Sequence, residues 1–272
     1  MTYREPADRE RKQQTSNRLL ERFRNEFTFK LAQDDATRKR VFRLRYDVYC
    51  AELGYEHPEN PSHHQEHDAH DAHAIQCLVE HRKSGLAAGC VRLVLPKSRE
   101  EGGGQTLPLQ EYGGNSLNHE TLHPSRFCQR SICEISRLAI SPLFRKRSTR
   151  EEIASIVLTN HAFTEAERET FPLIVIGLFL ATYALLGLSK RPHAFAMMDP
   201  RLPRLLKMSG FYFTKVGETI EFHGKRSAFY IDQRQVEKDM HAELMPLYQH
   251  IKATLAPQIE GALPNVAAES TY

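Results

Sequence analysis

The succession of elements in this sequence predicts an α+β fold, a mixed and mainly antiparallel sheet flanked by helices. Three observations carry the prediction. Two apolar runs, 74–80 and 86–95, flank a turn at 81–85, the pattern of an antiparallel hairpin. A nine-residue, mostly apolar run, Ile132-Cys-Glu-Ile-Ser-Arg-Leu-Ala-Ile140, reads as a central strand. Around these, segments of helical periodicity complete the order helix, hairpin, strand, helix, strand, helix, hairpin, as expected of an α+β sandwich.

Residues 1–26 are polar and read as an arm or helix whose apolar face is Leu19, Leu20 and Phe23. The first 24 residues hold seven Arg/Lys and no apolar run, so no signal peptide is expected. Residues 27–31 form a short strand. Asp34 or Asp35 then caps a helix in which Val41, Leu44, Val48 and Leu53 recur at helical spacing. A His-rich polar loop, 57–73, precedes the hairpin. Residues 96–131 carry Gly102–Gly104, Gly113 and Gly114, and a loop this long is usually functional or mobile. After the central strand come a helix over 149–169, an apolar helix over 171–189 and a strand over 194–198. A short helix, 203–208, ends at Gly210. Strands over 211–216 and 227–231, with a turn at His223-Gly224, close the sheet. Val236, Met240, Leu244, Leu247, Ile251 and Leu255 predict one amphipathic helix within 233–260, and 261–272 reads as a tail.

At 272 residues and 40% hydrophobic composition the chain can bury a full core. A net charge of +3 gives no reason to invoke nucleic acid. The five cysteines form no Cys-x-x-Cys pair and mostly lie in apolar segments, which predicts reduced thiols and a cytoplasmic protein. The stretch Phe171–Leu188 is eighteen residues without a charge. Its Phe-Pro start, Gly177 and Gly187 favour a buried helix over a span, which usually needs about 20 residues. Peripheral contact with the inner membrane surface stays open.

Glu134 and Arg137 are costly on an apolar strand unless they pair or do chemistry. They belong to a set of motifs: Arg45-Tyr-Asp-Val-Tyr49 with Leu53-Gly-Tyr55, Glu66-His-Asp68-Ala-His-Asp71, Gly89-Cys-Val-Arg92-Leu and Glu134-Ile-Ser-Arg137. In type, spacing and order the set resembles the acyl-homoserine-lactone (autoinducer) synthases. Tyr55 stands where that family has Trp and Tyr49 where it has Phe, and the chain is longer. Glu221-Phe-His-Gly-Lys-Arg226 matches none of the family's motifs. These departures are more similar to the N-acyl amino acid synthases, and among them to the acyltransferases associated with PEP-CTERM/exosortase systems. The resemblance covers about 27–232 and implies a GNAT-like N-acyltransferase domain there.

Carried over residue by residue, the resemblance implies a site. Glu134 is the candidate general base, since a carboxyl among Ile132 and Ile135 should have a raised pKa. Asp68 and Asp71 would orient a substrate ammonium or the arginines that hold it. Arg45, Arg92 or Arg137 would grip a substrate carboxylate, or else form a structural ion-pair network with the same acids. Tyr49, Tyr55 and Glu66 complete the substrate-binding set. Residues 134 and 137 should point to opposite faces of a regular strand, so a β-bulge near 135–137 is expected, opening a slot for a pantetheine arm.

Arg145, Lys146, Arg147 and Arg150 form a basic run suited to phosphopantetheine and to acyl carrier protein, the expected partner. The expected donor is therefore acyl-phosphopantetheine, with no tightly bound cofactor and no metal. The histidines 57, 63, 64, 67, 70 and 73 scatter around the acids as a polar loop. Phe171, Ile174, Phe179, Leu180, Tyr183 and Leu186 could line an acyl pocket or be plain core. The function implied is transfer of a fatty acyl chain to the amine of an amino acid or similar small amine. Two alternatives stay open: an acyl-homoserine-lactone synthase using S-adenosylmethionine, and a non-catalytic lipid- or carrier-binding protein.

Overall fold

The computed structural model describes residues 5–58, 60–96, 106–145 and 163–263. A long helix, α1 (Glu5–Glu26), runs directly into β1 (Phe27–Leu31). α1 is polar over most of its length, yet Leu20 and Phe23 are buried. The Phe23 ring stacks on Phe27 at 4.8 Å and meets Phe29 edge-on at 6.4 Å, which docks the N-terminal helix into the core.

Seven strands line up in the order β1, β2 (Ala74–His81), β3 (Ala87–Val94), β4 (Ile132–Ile140), β5 (His193–Met198), β8 (Lys225–Asp232) and β6 (Thr214–Lys215). The short β7 (Ile220–Glu221) pairs with β8. Every pairing is antiparallel except β4 with β5. Because side chains alternate across a strand, each face has its own cover. One face packs Cys77, Val79, Val91, Leu93, Cys133 and Ile135 against α5 (Leu173–Leu188), with α8 (Met245–Leu255) behind it. The other face packs Leu78, Cys90 and Ala139 under α2 (Asp35–Arg45). Further along, it packs Ile132, Phe195 and Tyr230 under Leu107, Leu109 and Leu117.

Several expectations are corrected. The acyl-pocket alternative for the 171–188 stripe gives way to core: Phe171, Ile174, Phe179, Leu180, Tyr183 and Leu186 are each at most 3% exposed. They fill the space between the sheet and α8, and no described helix is long and apolar enough to cross a membrane. The single C-terminal helix is two, α7 (Gln233–Asp239) and α8, followed by a last turn, α9 (Ile259–Ala262). Met240 leaves helical geometry at ψ 133°, and Pro246, which has no N–H to donate, sits in the first turn of α8. The helix expected over 149–169 is not continuous. Extended Thr164 starts a new helix, α4 (Glu165–Thr170), through a reciprocal cap with Glu167, while 146–162 lie outside the described residues. The strand expected over 211–216 shrinks to β6, and the turn at His223-Gly224 joins β7 to β8 instead. The long loop holds a short helix, α3 (Pro108–Gly113). α6 (Leu202–Lys207) follows β5 close to its expected place.

At the sheet's outer edge, the Gln258 side-chain amide accepts from the Leu31 N–H at 2.9 Å and donates to the Phe29 carbonyl at 3.2 Å.

Candidate active site

The site lies on the α2 face of the sheet, where β4 parts from β5. The two strands pair only over Ile132–Glu134 and His193–Phe195, although β4 continues to Ile140. Across β4 on its other side, Arg92 faces Ser136 and Cys90 faces Ala139, so Arg137 and Leu138 together oppose Val91. This is the expected bulge, centred on Arg137, whose φ is +50°. A non-glycine residue held there is strained and must be over-determined by its contacts. The consequence is visible in the packing. Glu134, Ser136 and Arg137 all reach the α2 face, while Cys133, Ile135 and Leu138 pack on the other.

α2 supports the bulge from above. The side chain of Asp34 accepts from the Thr37 N–H at 2.8 Å and caps the helix, as expected. After Arg45 the helix widens to a π-type turn over Tyr46–Glu52, with the Leu53 N–H donating to the Val48 carbonyl at 3.0 Å. Tyr49, on this turn, donates its hydroxyl to the Leu138 carbonyl in the bulge at 2.7 Å. Its ring lies 5.5 Å from the Arg137 guanidinium.

The three arginines and three acids meet in one network. Arg45 donates to Glu66 at 2.6 Å and to both oxygens of Asp71 at 2.7 and 3.1 Å. Arg92 donates to Asp68 at 2.6 Å, to Asp71 at 3.0 Å and to the Ser136 hydroxyl at 3.0 Å. Arg137 reaches Glu66 at 3.2 Å, Asp68 at 3.3 Å and Glu56 at 2.8 Å. The Asp68 and Asp71 side chains also cap the turn Ala69–His73 reciprocally, which fixes the loop that carries them. Arg45 and Arg92 are 0% and 1% exposed, so substrate cannot touch either from solvent as the site stands. Burial raises the pKa of each acid, but the guanidiniums outweigh it: Arg45 for Glu66, Arg92 for Asp68, Arg45 and then Arg92 for Asp71. All three end below the ordinary range, Asp71 furthest.

Glu134 is the exception. It is 3% exposed, forms no ion pair among the described residues, and accepts the Leu109 N–H, in the first turn of α3, at 2.7 Å. Burial pushes its pKa up to about 8, against the pull of that N–H and of Arg92 and Arg137. It stands where the apolar cluster of Leu109, Ile132 and Phe195 meets the charged network.

Of the remaining expected residues, Tyr55 stacks on His223 at 4.8 Å, and the Arg226 guanidinium lies 5.9 Å above its ring. Arg145 donates to the Ile140 carbonyl at 2.6 Å and to Glu52, while Lys146, Arg147 and Arg150 lie outside the described residues. The histidines disperse. His64 stacks on Tyr46 at 5.1 Å, His67 lies 5.5 Å from Phe42, and His70 faces Glu111 at 3.2 Å. No group of three or more potential metal ligands gathers among the described residues. Four participants were not anticipated: Glu56, Gln76 (2.5 Å from Asp71), Ser136 and the Leu109 amide. Ser136 was legible as the middle of Glu-x-Ser-Arg; the Leu109 amide carries no sequence signal.

Residues 44–154 match the family model described as an acetyltransferase (GNAT) domain. No curated protein matches the chain. Among solved structures it is similar to TofI in a ternary complex with an inhibitor and MTA, at 15% identity and TM-score 0.55, covering 81% of this chain and 99% of that one. It is also similar to BjaI, a CoA-dependent acyl-homoserine lactone synthase, with MTA, at 17% identity and TM-score 0.53, covering 83% and 89%. FeeM, an N-acyl amino acid synthase from uncultured soil microbes, matches at 13% identity and TM-score 0.50, covering 81% and 98%. The parted β4 and β5, the bulge and this likeness together give the chain the GNAT-type N-acyltransferase fold.

Proposed function

We propose that this protein is an acyltransferase of the N-acyl amino acid synthase and acyl-homoserine-lactone synthase type. In this reading it moves a fatty acyl chain from the phosphopantetheine thioester of acyl carrier protein to the amine of an amino acid. The observation that carries the proposal is Glu134, a buried carboxyl with its pKa near 8 at the point where β4 leaves β5.

Amide formation requires a neutral amine, a polarised carbonyl and a route for a proton. The ionised form of Glu134, about a tenth of the molecules at pH 7 for such a pKa, takes one proton from the acceptor ammonium. The amine nitrogen then attacks the thioester carbon, a C–N bond forms and the C–S bond breaks; the second proton leaves the nitrogen as the amide forms and ends on the departing sulfur, giving the free phosphopantetheine thiol. Past Glu134, β4 has no strand paired to it on the β5 side among the described residues, and the gap between the two strands there would admit the thioester. Arg45 and Arg92 hold Asp68 and Asp71 in place as positioning residues, and Arg137, set by the bulge, is the most exposed of the three arginines. The basic run Arg145, Lys146, Arg147 and Arg150 follows β4 and would meet the donor's phosphate.

The test is to incubate purified protein with long-chain acyl carrier protein or acyl-CoA, amino acids and S-adenosylmethionine, and to read products by mass spectrometry. An N-acyl amino acid that vanishes with Glu134→Gln supports the reading. A homoserine lactone moves the protein to the signalling synthases. Full recovery of intact donor with every acceptor favours a non-catalytic carrier-binding protein. The association with a PEP-CTERM/exosortase system is part of the same proposal, and neighbouring genes test it.

A further inference from the structure

The network has no cation left for an acceptor's carboxylate. Arg45, Arg92 and Arg137 are each committed to two or more protein carboxylates. Arg226 differs. Its guanidinium donates to the Lys225 carbonyl at 3.0 Å and forms no ion pair among the described residues. Asp199, whose charge it feels, is already gripped by Arg201 at 2.6 Å.

The sheet register puts Arg226 at the open end of the site. Ser227 pairs with Met198, the last residue of β5, so Arg226 lies just beyond the end at which β4 and β5 have parted. An unbroken line of rings joins this hairpin tip to the network. Arg226 lies 5.9 Å over Tyr55, Tyr55 stacks on His223 at 4.8 Å, His223 meets Phe222 at 4.6 Å, and Phe222 meets Tyr112 at 5.1 Å. At one end of the line, Tyr112 is near enough to Asp68, Arg137 and Glu56 to feel their charges. At the other end, Glu56 follows Tyr55 in sequence and pairs with Arg137. The network is acidic in excess, four carboxylates against three guanidiniums, whereas the hairpin offers an unpaired guanidinium. That polarity, with a line of rings between, matches a molecule carrying both ammonium and carboxylate.

We propose that Arg226, resting on the Tyr55 ring at the tip of the β7–β8 hairpin, receives the carboxylate of the acceptor and selects amino acids over simple amines. This rests on the amide-forming function proposed above. A guanidinium gives a carboxylate a bidentate, charge-assisted partner that lysine does not reproduce.

Binding tests the assignment independently of turnover. N-dodecanoyl derivatives of glycine, serine, leucine and tyrosine, and the primary amide of each, are titrated calorimetrically into wild type, Arg226→Gln and Arg226→Lys. At least one carboxylate is expected to bind wild type about 10- to 100-fold more tightly than its amide, with that preference lost in Arg226→Gln and only partly kept in Arg226→Lys. The amides should bind all three proteins alike, which separates a lost carboxylate contact from a damaged site. Wild type that binds carboxylate and amide equally, or binds neither, overturns the assignment, as does an Arg226→Gln protein that keeps the preference. The product assay run alongside judges the acyltransferase function separately: Arg226-dependent binding without turnover would leave this assignment standing and remove that one.

Discussion

Replacing Glu134 with Gln is expected to stabilise the fold while abolishing turnover. The folded protein keeps Glu134 protonated up to a pKa of about 8, against an ordinary value of 4.5. Between those values the folded state holds a proton that the unfolded chain has released, so stability falls as pH rises through that window. It is undiminished below the ordinary value and levels off above about 8. At pH 7 the accumulated cost is about 3 kcal/mol, since each unit of separation is worth about 1.4 kcal/mol and the window is mostly crossed. Gln has nearly the same shape, keeps an oxygen for the Leu109 N–H and does not ionise. Urea unfolding should therefore find the variant more stable by up to about 3 kcal/mol at pH 7, by more near about pH 9, and by nothing near about pH 4. The rate profile of wild type should rise with pH and flatten above about 8. Parallel stability curves for the two proteins from about pH 4 to about pH 9 would mean that Glu134 titrates normally in the folded state, and the argument for a near-neutral base would fail.

Three further outcomes follow from the same geometry. Asp71→Asn leaves Arg45 and Arg92 short of a buried partner and should cost about 3–5 kcal/mol in denaturant unfolding. In wild type the depressed pKa of Asp71 makes its stabilisation present above the ordinary carboxylate value and lost on acidification below it, a limb that the variant should lack in acid titration. Tyr49→Phe keeps the ring beside Arg137 but deprives the Leu138 carbonyl of its donor; a loss of about 1–3 kcal/mol and a lower kcat with little change in acceptor KM are expected in unfolding and steady-state assays. Gly177→Ala would place a methyl 2.8 Å from the Phe23 ring, which Phe27 and Phe29 already confine, so thermal or urea unfolding should show a loss of about 1–3 kcal/mol.

The parts of this molecule that its sequence displays are those governed by local period and spacing. Apolar runs bounded by turn residues marked β2, β3 and β4, and the three-residue gap between Glu134 and Arg137, together with the family resemblance, pointed to a bulge. The corrected features depend on what lies opposite a residue in space. An apolar stripe such as Ile174–Leu186 has the same composition whether it lines a lipid pocket or fills a core. Only its cover by the sheet and α8 decides. The widened turn at Tyr46–Glu52 differs from an α-helix by one hydrogen-bond step, too little to leave a periodic trace. The candidate acids and arginines were legible as a set, but their pairing was not. Choosing among partners depends on the loop around Asp68–Asp71, whose reciprocal cap aims both carboxylates.

The Gln258 amide at the rim of the sheet bears on how the chain assembles. β1 is an outermost strand, and an uncovered strand rim is a template for unwanted pairing with another molecule. Gln258 occupies two of its backbone groups from 227 and 229 positions away in sequence. During synthesis, then, β1 must wait for some 227 further residues before these two groups are taken up. Over that interval the nascent protein is most exposed to intermolecular strand pairing, and contacts so distant in sequence form slowly. Chaperone dependence during expression should therefore persist until the segment around Gln258 has left the ribosome.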